Sequence, residues 1–449
     1  MRLASVTALS ARQALRSRLV AAALALLVFG SLALVRGATG DGSAVGGLKV
    51  FLGWSQGLVT LVLSLTALVL PLSFAGTLKR GELTGIALTP TPRWQVLVGW
   101  WAGVALVLAG LAGFGQLLVY GGARWRALRA PEEAQPELEL VLLAQGIVRS
   151  PQPDRALIEA QMAQRLVSLE AQGQVPRELD RGEALEELVR RELRERRSAG
   201  PGGRLRWSLD GIRPLAAYPE LPLQLRYRTY IDAPPEVRVP DAGVRGRFVM
   251  IPPGSSGFDG PPQRIVGRGE MRSLKFPREV LEGGEALEIE FQNLESAPAT
   301  VVFATTGIQV LYPAGGFLGN LCRAWVVLVG RLVFVAGLGL ALAALLEGRL
   351  AVLVAAGVLA IGSAHGFLED ALRVNVYGGL DAPLKAVVHA VLWVLPDLGR
   401  DDLGGLISLG VQIEGASLGY ALLDGLLRGG LCLGLGALVL SRRELGAIR

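Results

Sequence analysis

Val50-Phe-Leu-Gly-Trp-Ser-Gln-Gly-Leu-Val-Thr-Leu-Val-Leu-Ser-Leu-Thr-Ala-Leu-Val-Leu-Pro-Leu-Ser-Phe74 carries no charged side chain. About 20 apolar residues in a helix are enough to cross a hydrocarbon core roughly 30 Å thick, so this run reads as a membrane span. A second run of the same kind covers residues 94–120. Between them lies Lys79-Arg-Gly-Glu-Leu-Thr-Gly-Ile-Ala-Leu-Thr-Pro-Thr-Pro-Arg-Trp94, short, charged and closed by two prolines. Two spans joined by a short polar loop fix the class of the chain.

The rest of the sequence agrees. Of the 449 residues 51% are hydrophobic and 19% charged, with mean hydropathy +0.43, which is too apolar for an ordinary soluble protein. Apolar stretches near 18–36, 50–74, 94–120, 325–346, 350–367 and 416–440 give an expectation of about six spans. The first follows Arg12, Arg16 and Arg18. Its apolar run of about 17 residues exceeds a signal-peptide core and no A-x-A site follows, so it reads as a retained span.

Basic residues on short loops orient the chain. The N-terminus (Arg2, Arg12, Arg16, Arg18), the 79–93 loop and the C-terminus (Arg442, Arg443, Arg449) all read as cytoplasmic. Six spans fit that assignment and put about 122–318 outside the cytoplasm. Arg124, Arg126 and Arg129 oppose it at the outer end of the third span, but long translocated domains are little affected by local charge. The net charge of +6 is gathered at span ends. It forms no stripe for nucleic acid.

The expected domains are 1–121, an N-terminal membrane part with the loop at 76–93; 122–203, a helical segment; 204–318, a β-rich domain; and 319–449, a C-terminal membrane part. Leucines and valines at three- and four-residue spacing over about 152–198 predict a helical hairpin. After Gly200-Pro-Gly-Gly203, alternation in Leu223–Ile231, Val244–Ile251, Gln263–Val266, Ala286–Phe291 and Thr300–Thr305 predicts an antiparallel sandwich. The fold class is thus an α-helical polytopic membrane protein with an inserted extracytoplasmic α+β domain. Residues 382–396 are too short to cross and read as a surface or re-entrant helix.

Few residues carry chemistry. No G-x-x-x-x-G-K-[ST] occurs, so there is no P-loop, and energy for any transport has to come from another polypeptide. Cys322 and Cys432 make no disulfide framework, and His365 and His389 make no histidine cluster, so neither a metal nor a cofactor is expected. Gly415-Ala-Ser417-Leu-Gly419 matches a nucleophile elbow literally. It opens an apolar helix with no strand before it, which argues against a catalytic Ser417 with His365 or His389 as base, and no catalytic residue is expected. Asp424 and Arg428 lie four apart on one face of the last span, either a structural pair or part of a substrate path. Glycines four apart at Gly53/Gly57, Gly99/Gly103, Gly425/Gly429 and Gly430/Gly434 suit close helix packing, within one subunit or at a dimer face.

The loop wording Gly81, Thr89-Pro90-Thr91-Pro92-Arg93-Trp94-Gln95, Leu97-Val98-Gly99 and Gly103 resembles the loop between the second and third spans of ABC-2 type exporter permeases. Ala8–Leu19 looks like the elbow helix that precedes their first span. Val394-Leu-Pro396-Asp397-Leu398 resembles the Leu-Pro-Asn/Asp element before their last span, and Val439-Leu-Ser-Arg442-Arg443-Glu444-Leu445 their last-span exit. The likeness covers a little over half of the chain. Glu82 and Trp100 depart from it, where Thr and Lys are usual.

The resemblance implies a permease subunit, homo- or heterodimeric, in the lipid bilayer of the bacterial plasma (inner) membrane. It implies a separate ABC ATPase that binds ATP and Mg, and a coupling helix in this loop that docks on it. Arg80, Glu82, Thr89, Pro90, Pro92 and Arg93 are the expected coupling contacts. The rival reading is a non-transporting membrane anchor or assembly protein that displays the extracytoplasmic domain for binding. The transported substrate is not legible from the spans.

Overall fold

A computed structural model describes residues 3–72, 92–172, 181–213, 221–233, 243–254, 257–281, 285–296, 298–346, 348–374, 382–395, 397–399 and 401–442. Arg80, Glu82, Thr89 and Pro90 lie outside the described residues. The chain divides into two compact units, one of residues 1–144 with 316–449 and one of residues 145–315.

The first unit is helical. α1 (Leu3–Leu15) leads into α2 (Arg18–Gly37), whose start is capped by the Ser17 hydroxyl accepting from the Val20 amide. α3 (Ala44–Val69) is capped by Ser43 in the same way and ends in a 3-10 turn at Leu70–Leu72. α4 (Arg93–Leu128) starts directly after Pro92, where a missing N–H costs nothing, and α5 (Gln135–Leu142) closes the N-terminal half. Five helices are long and apolar enough to cross a membrane: Arg18–Gly37, Ala44–Leu72, Trp94–Leu128, Phe317–Leu345 and Gly415–Val439.

Of the about six spans expected, five are helices of full spanning length among the described residues. The run read at 350–367 is α9 (Gly348–Ser363), followed by α10 (His365–Val374). Sixteen residues make about 24 Å of helix, short of a roughly 30 Å core. A hydropathy window averages over the turn at Ala364; the structure does not. The Leu398 amide donates to the Gly362 carbonyl at 3.0 Å and so satisfies one of the carbonyls left at the end of α9. α11 (Ala382–Val394) covers the segment expected to be a surface or re-entrant helix, and α12 (Leu403–Ser408) is capped by Asp402.

Small residues decide the helix packing. Gly99 and Gly103 receive α1: a Cβ at Gly103 would collide with Ser10 and the Thr7 carbonyl, and the Ser10 hydroxyl donates to the Gly99 carbonyl at 3.2 Å. α8 (Phe317–Leu345) and α13 (Gly415–Arg442) meet backbone to backbone through Gly330 against Ala421 and Gly425, and Gly337 against Gly429. This is small-residue packing inside one chain. Among the described residues nothing lies within 4 Å of where a Cβ would stand at Gly57, Gly430 or Gly434. Two indoles add crosslinks between helices, Trp101 donating to the Val333 carbonyl at 3.0 Å and Trp325 to the Ala109 carbonyl at 2.9 Å. Arg126, read from sequence only as a topology charge, donates to the Gly47 and Ala38 carbonyls and so terminates α2.

The second unit begins in β1 (Leu143–Arg149) and continues with the hairpin of α6 (Arg155–Ala171) and α7 (Arg181–Glu195), which bury Ile158, Met162 and Val189 between them. Nine further strands follow: β2 (Ser198–Ala199), β3 (Arg204–Leu209), β4 (Leu223–Asp232), β5 (Val244–Ile251), β6 (Phe258–Asp259), β7 (Gln263–Ile265), β8 (Arg268–Phe276), β9 (Leu287–Asn293) and β10 (Thr300–Gly316).

They form two five-stranded sheets. One has the order β1-β10-β4-β8 with β2 on β10; the other has β3-β9-β5-β6 with β7 on β5. Every pairing of β4, β5, β8 and β9 is antiparallel. One face of each sheet supplies a shared aromatic core: Tyr227 on β4 and Phe303 on β10 meet Phe248 on β5 and Phe291 on β9, with ring centroids 4.8 Å (Tyr227–Phe248) and 5.1 Å (Phe291–Phe303) apart. Buried Asn293 fastens the end of β9 by donating to the Ala199 and Ala299 carbonyls, both at 3.0 Å. Strands β1, β3 and β8 were not expected from the sequence, and β10 runs well past Thr305.

Candidate functional site

Arg331 stands near the middle of α8, one of the most apolar helices of the chain. Placing a guanidinium there costs about 2.5–3.5 kcal/mol on insertion scales, so it needs acceptors. It finds them in the loop that follows α11. Arg331 Nη2 donates to the Asp401 main-chain carbonyl at 2.9 Å and lies 3.9 Å from Asp401 Oδ2. Only 15% of the Arg331 side chain and 18% of the Asp401 side chain reach the surface.

Around this pair lies a cavity of about 860 Å³. α8 contributes Arg331 and Phe334, α10 His365 and Glu369, α11 His389, the loop Asp397 and Asp401, and α13 Ser417, Tyr420, Asp424 and Arg428. The Ser417 hydroxyl donates to Asp401 Oδ1 at 3.2 Å, and Arg428 Nε meets Asp424 Oδ1 at 2.6 Å. Among the described residues the cavity thus holds four carboxylates against two guanidiniums, with two imidazoles besides. The His365 Nδ1 is buried without a hydrogen-bond partner among the described residues. Such a lining favours a cationic or hydrogen-bonding guest over an anion.

A second cavity of about 990 Å³ lies between α3, α8, α9 and α12, lined mostly by apolar side chains such as Trp54, Leu61, Leu65 and Val335. Arg331, Leu398 and Asp401 line both cavities. They form the wall where the polar space meets the apolar one.

Those residues named from the sequence that are described fall in two places. Asp424 and Arg428 form the expected i,i+4 pair and line the polar cavity. Ser417, His365 and His389 line that cavity too, with the serine hydroxyl directed at a carboxylate. Gly415 opens α13 with no strand leading into it. Of the loop residues, Pro92 immediately precedes α4 and is exposed, and Arg93 is its first residue. Sequence reasoning missed Arg331 and Asp401. A lone arginine deep in an apolar helix was the available signal.

No group of three or more metal-ligating side chains occurs among the described residues. The chain matches no protein-family model and has no significant match among curated proteins.

Proposed function

We propose that the chain is the transmembrane permease subunit of an ATP-binding cassette exporter of the ABC-2 type, working with a separate ATPase subunit. The observation that carries this reading is the meeting of two cavities at Arg331 and Asp401 inside the helical unit. A path through a membrane protein needs alternating spaces closed by a wall that can open, and a buried polar contact between a span and a loop is such a wall. The motif resemblance points to the family, and the packing of α1 on Gly99 and Gly103 supports reading α1 as an elbow helix on the span that follows the 79–93 loop.

On this reading ATP hydrolysis in the partner moves the 79–93 loop, and Arg80, Glu82, Thr89, Pro90, Pro92 and Arg93 make the docking contacts. Both termini are cytoplasmic, residues 122–318 lie outside the cytoplasm, and the membrane is a bacterial plasma membrane. Five long spans alone would put the termini on opposite sides. The reading therefore takes α9, broken from α10 at Ala364, as a further short crossing of the discontinuous kind seen where polar cavities interrupt a span.

The test is co-expression with an ABC ATPase encoded beside it. The complex should co-purify, its ATP hydrolysis should depend on this chain, and replacing Pro90 or Arg93 by a bulky acidic residue should separate the two. If the chain purifies alone, and its membrane half can be exchanged for an unrelated anchor without loss of activity, the exporter reading fails. A second reading, a non-transporting anchor that displays the 145–315 unit, draws on that unit's having its own aromatic core. It predicts that replacing Arg331 leaves activity untouched.

A further inference from the structure

β10 is interrupted. Its register with β4 runs from Thr300 to Phe303, shifts, and resumes at Ile308, so Ala304–Gly307 form a bulge. Gly307 makes it possible: its φ of +60° is the left-handed region, and a Cβ there would collide with the Ser150 hydroxyl. The bulge lifts Thr305 out of the sheet, beside the C-terminal end of α7 and the face of β4 that carries Arg228 and Tyr230. Between them opens a groove of about 500 Å³.

Among the described residues four arginines line the groove, and no carboxylate does. Arg190 and Arg194 at its rim are paired with exposed acids, Glu187 at 3.1 Å and Asp232 at 2.7 Å. The other two have no acidic partner among the described residues. Arg197 donates to neutral groups, the Leu193 carbonyl at 2.8 Å and the Thr305 hydroxyl at 2.7 Å, and burial pushes its guanidinium below the usual arginine range. Arg228 keeps a buried Nε with no hydrogen-bond partner. An unmet buried donor on a charged group is unfavourable, and two uncompensated cations in one groove repel each other. An anion with several oxygens removes both penalties at once.

We propose that this groove binds a phosphate ester, its phosphate seated between Arg197 and Arg228 within reach of the Thr305 and Tyr230 hydroxyls. Guanidiniums match phosphate oxygens in fork geometry, and a tetrahedral phosphate can present oxygens to two guanidiniums at once. A volume near 500 Å³ exceeds a bare phosphate and leaves space for the alcohol portion of the ester, against the Tyr230 ring. The same headgroup chemistry belongs to a soluble sugar or glycerol phosphate and to an anionic phospholipid.

The experiment uses the full chain in phosphatidylcholine nanodiscs, titrated calorimetrically with inorganic phosphate and glycerol 3-phosphate in one arm. In the other arm it is floated with phosphatidylglycerol or phosphatidylcholine vesicles. Saturable binding in either arm, weakening as salt rises, is the expected result, and the responding arm names the source. Arg228→Gln should weaken binding by about tenfold or more while Arg228→Lys restores part of it, and Arg213→Gln, which changes an arginine outside the groove, should leave it unchanged. Arg197 also holds α7 to β10, so Arg228→Gln is the deciding variant and its melting curve must match the parent. Absence of saturable binding in both arms, or binding that survives Arg228→Gln, overturns the proposal.

Discussion

Arg331 in α8 and Asp401 in the loop after α11 are joined twice over, by a 2.9 Å hydrogen bond to the Asp401 carbonyl and by a carboxylate 3.9 Å away. The carbonyl contact would survive Asp401→Ala, whereas Arg331→Ala loses both. Asp401→Ala should destabilise the chain by about 1–2 kcal/mol and Arg331→Ala by more, because a buried ion pair stripped of one member leaves the other uncompensated. Chemical denaturation of both single variants and the double, in nanodiscs, should show non-additivity of at least about 0.5 kcal/mol. Additive losses would mean that the two residues do not act together.

Backbone contact between α8 and α13 makes Gly425 intolerant. A Cβ there would meet the Gly330 carbonyl, so Gly425→Leu should force the helices apart and cost about 1–3 kcal/mol or more, lowering the melting temperature. Gly430→Leu, on the same helix with no described residue within 4 Å of its Cβ position, is the control and should melt like the parent.

The same logic applies to α1. Gly103→Leu should displace this helix from α4, since both Ser10 and the Thr7 carbonyl occupy the space. Amide hydrogen exchange across residues 3–15 should rise, while Gly110→Leu, at an open position of α4, should not raise it. Unchanged protection in Gly103→Leu would remove the argument that these glycines exist to receive α1.

Glu290 supplies a pH-dependent contribution in the second unit. Its side chain is 6% exposed, accepts from Gln292 at 2.7 Å and meets Arg206 at 2.8 Å and Arg204 at 3.5 Å. The Gln292 and Arg206 hydrogen bonds hold its carboxyl below the ordinary value of 4.5. A depressed carboxylate stabilises the fold fully above the unfolded value, and that stability is lost as pH falls through the folded one. Glu290→Gln should therefore cost about 1 kcal/mol at neutral pH, a small figure because both arginines stay in water. The gap between variant and parent should stay constant above about pH 5 and close below about 4.5. A gap independent of pH would show that the ion pair contributes nothing.

Phe291 touches Phe248 and Phe303 with centroids 5.1 Å away in each case, and is fully buried. Phe291→Ala should cost about 3–5 kcal/mol by leaving a cavity in the aromatic core. Loss of near-ultraviolet circular dichroism with the α-helical signal retained would confine the damage to the β-rich unit. A loss below about 1 kcal/mol would mean that the sheets close up without it.

Hydropathy found the long spans because the preference of an apolar run for lipid is local and needs no knowledge of its neighbours. At 350–367 averaging hid the turn at Ala364 and the Leu398 amide that closes α9. Alternation found β4, β5, β7 and β9, whose inward faces read as every second residue. It missed β8, which ends its sheet and carries Glu270, Arg272 and Lys275, charges that break the apolar alternation and that an edge strand tolerates. The bulge in β10 hid the length of that strand.

Of the polar cavity, only Asp424 and Arg428 were legible, since four residues on a helix is one turn and the pair is settled by the sequence. By itself the sequence determined what depends on neighbours within a turn or a pleat: the apolar spans, the strand alternation and that one ion pair. Only the tertiary structure decided which charges answer one another. Asp401 reaches Arg331 from another segment of the chain, and α7, β4 and β10 bring four arginines to one groove. Coulomb and hydrogen-bond energies depend on separation in space, and between distant segments that separation is set by packing, through glycines such as Gly330 and Gly425 and the bulge at Gly307.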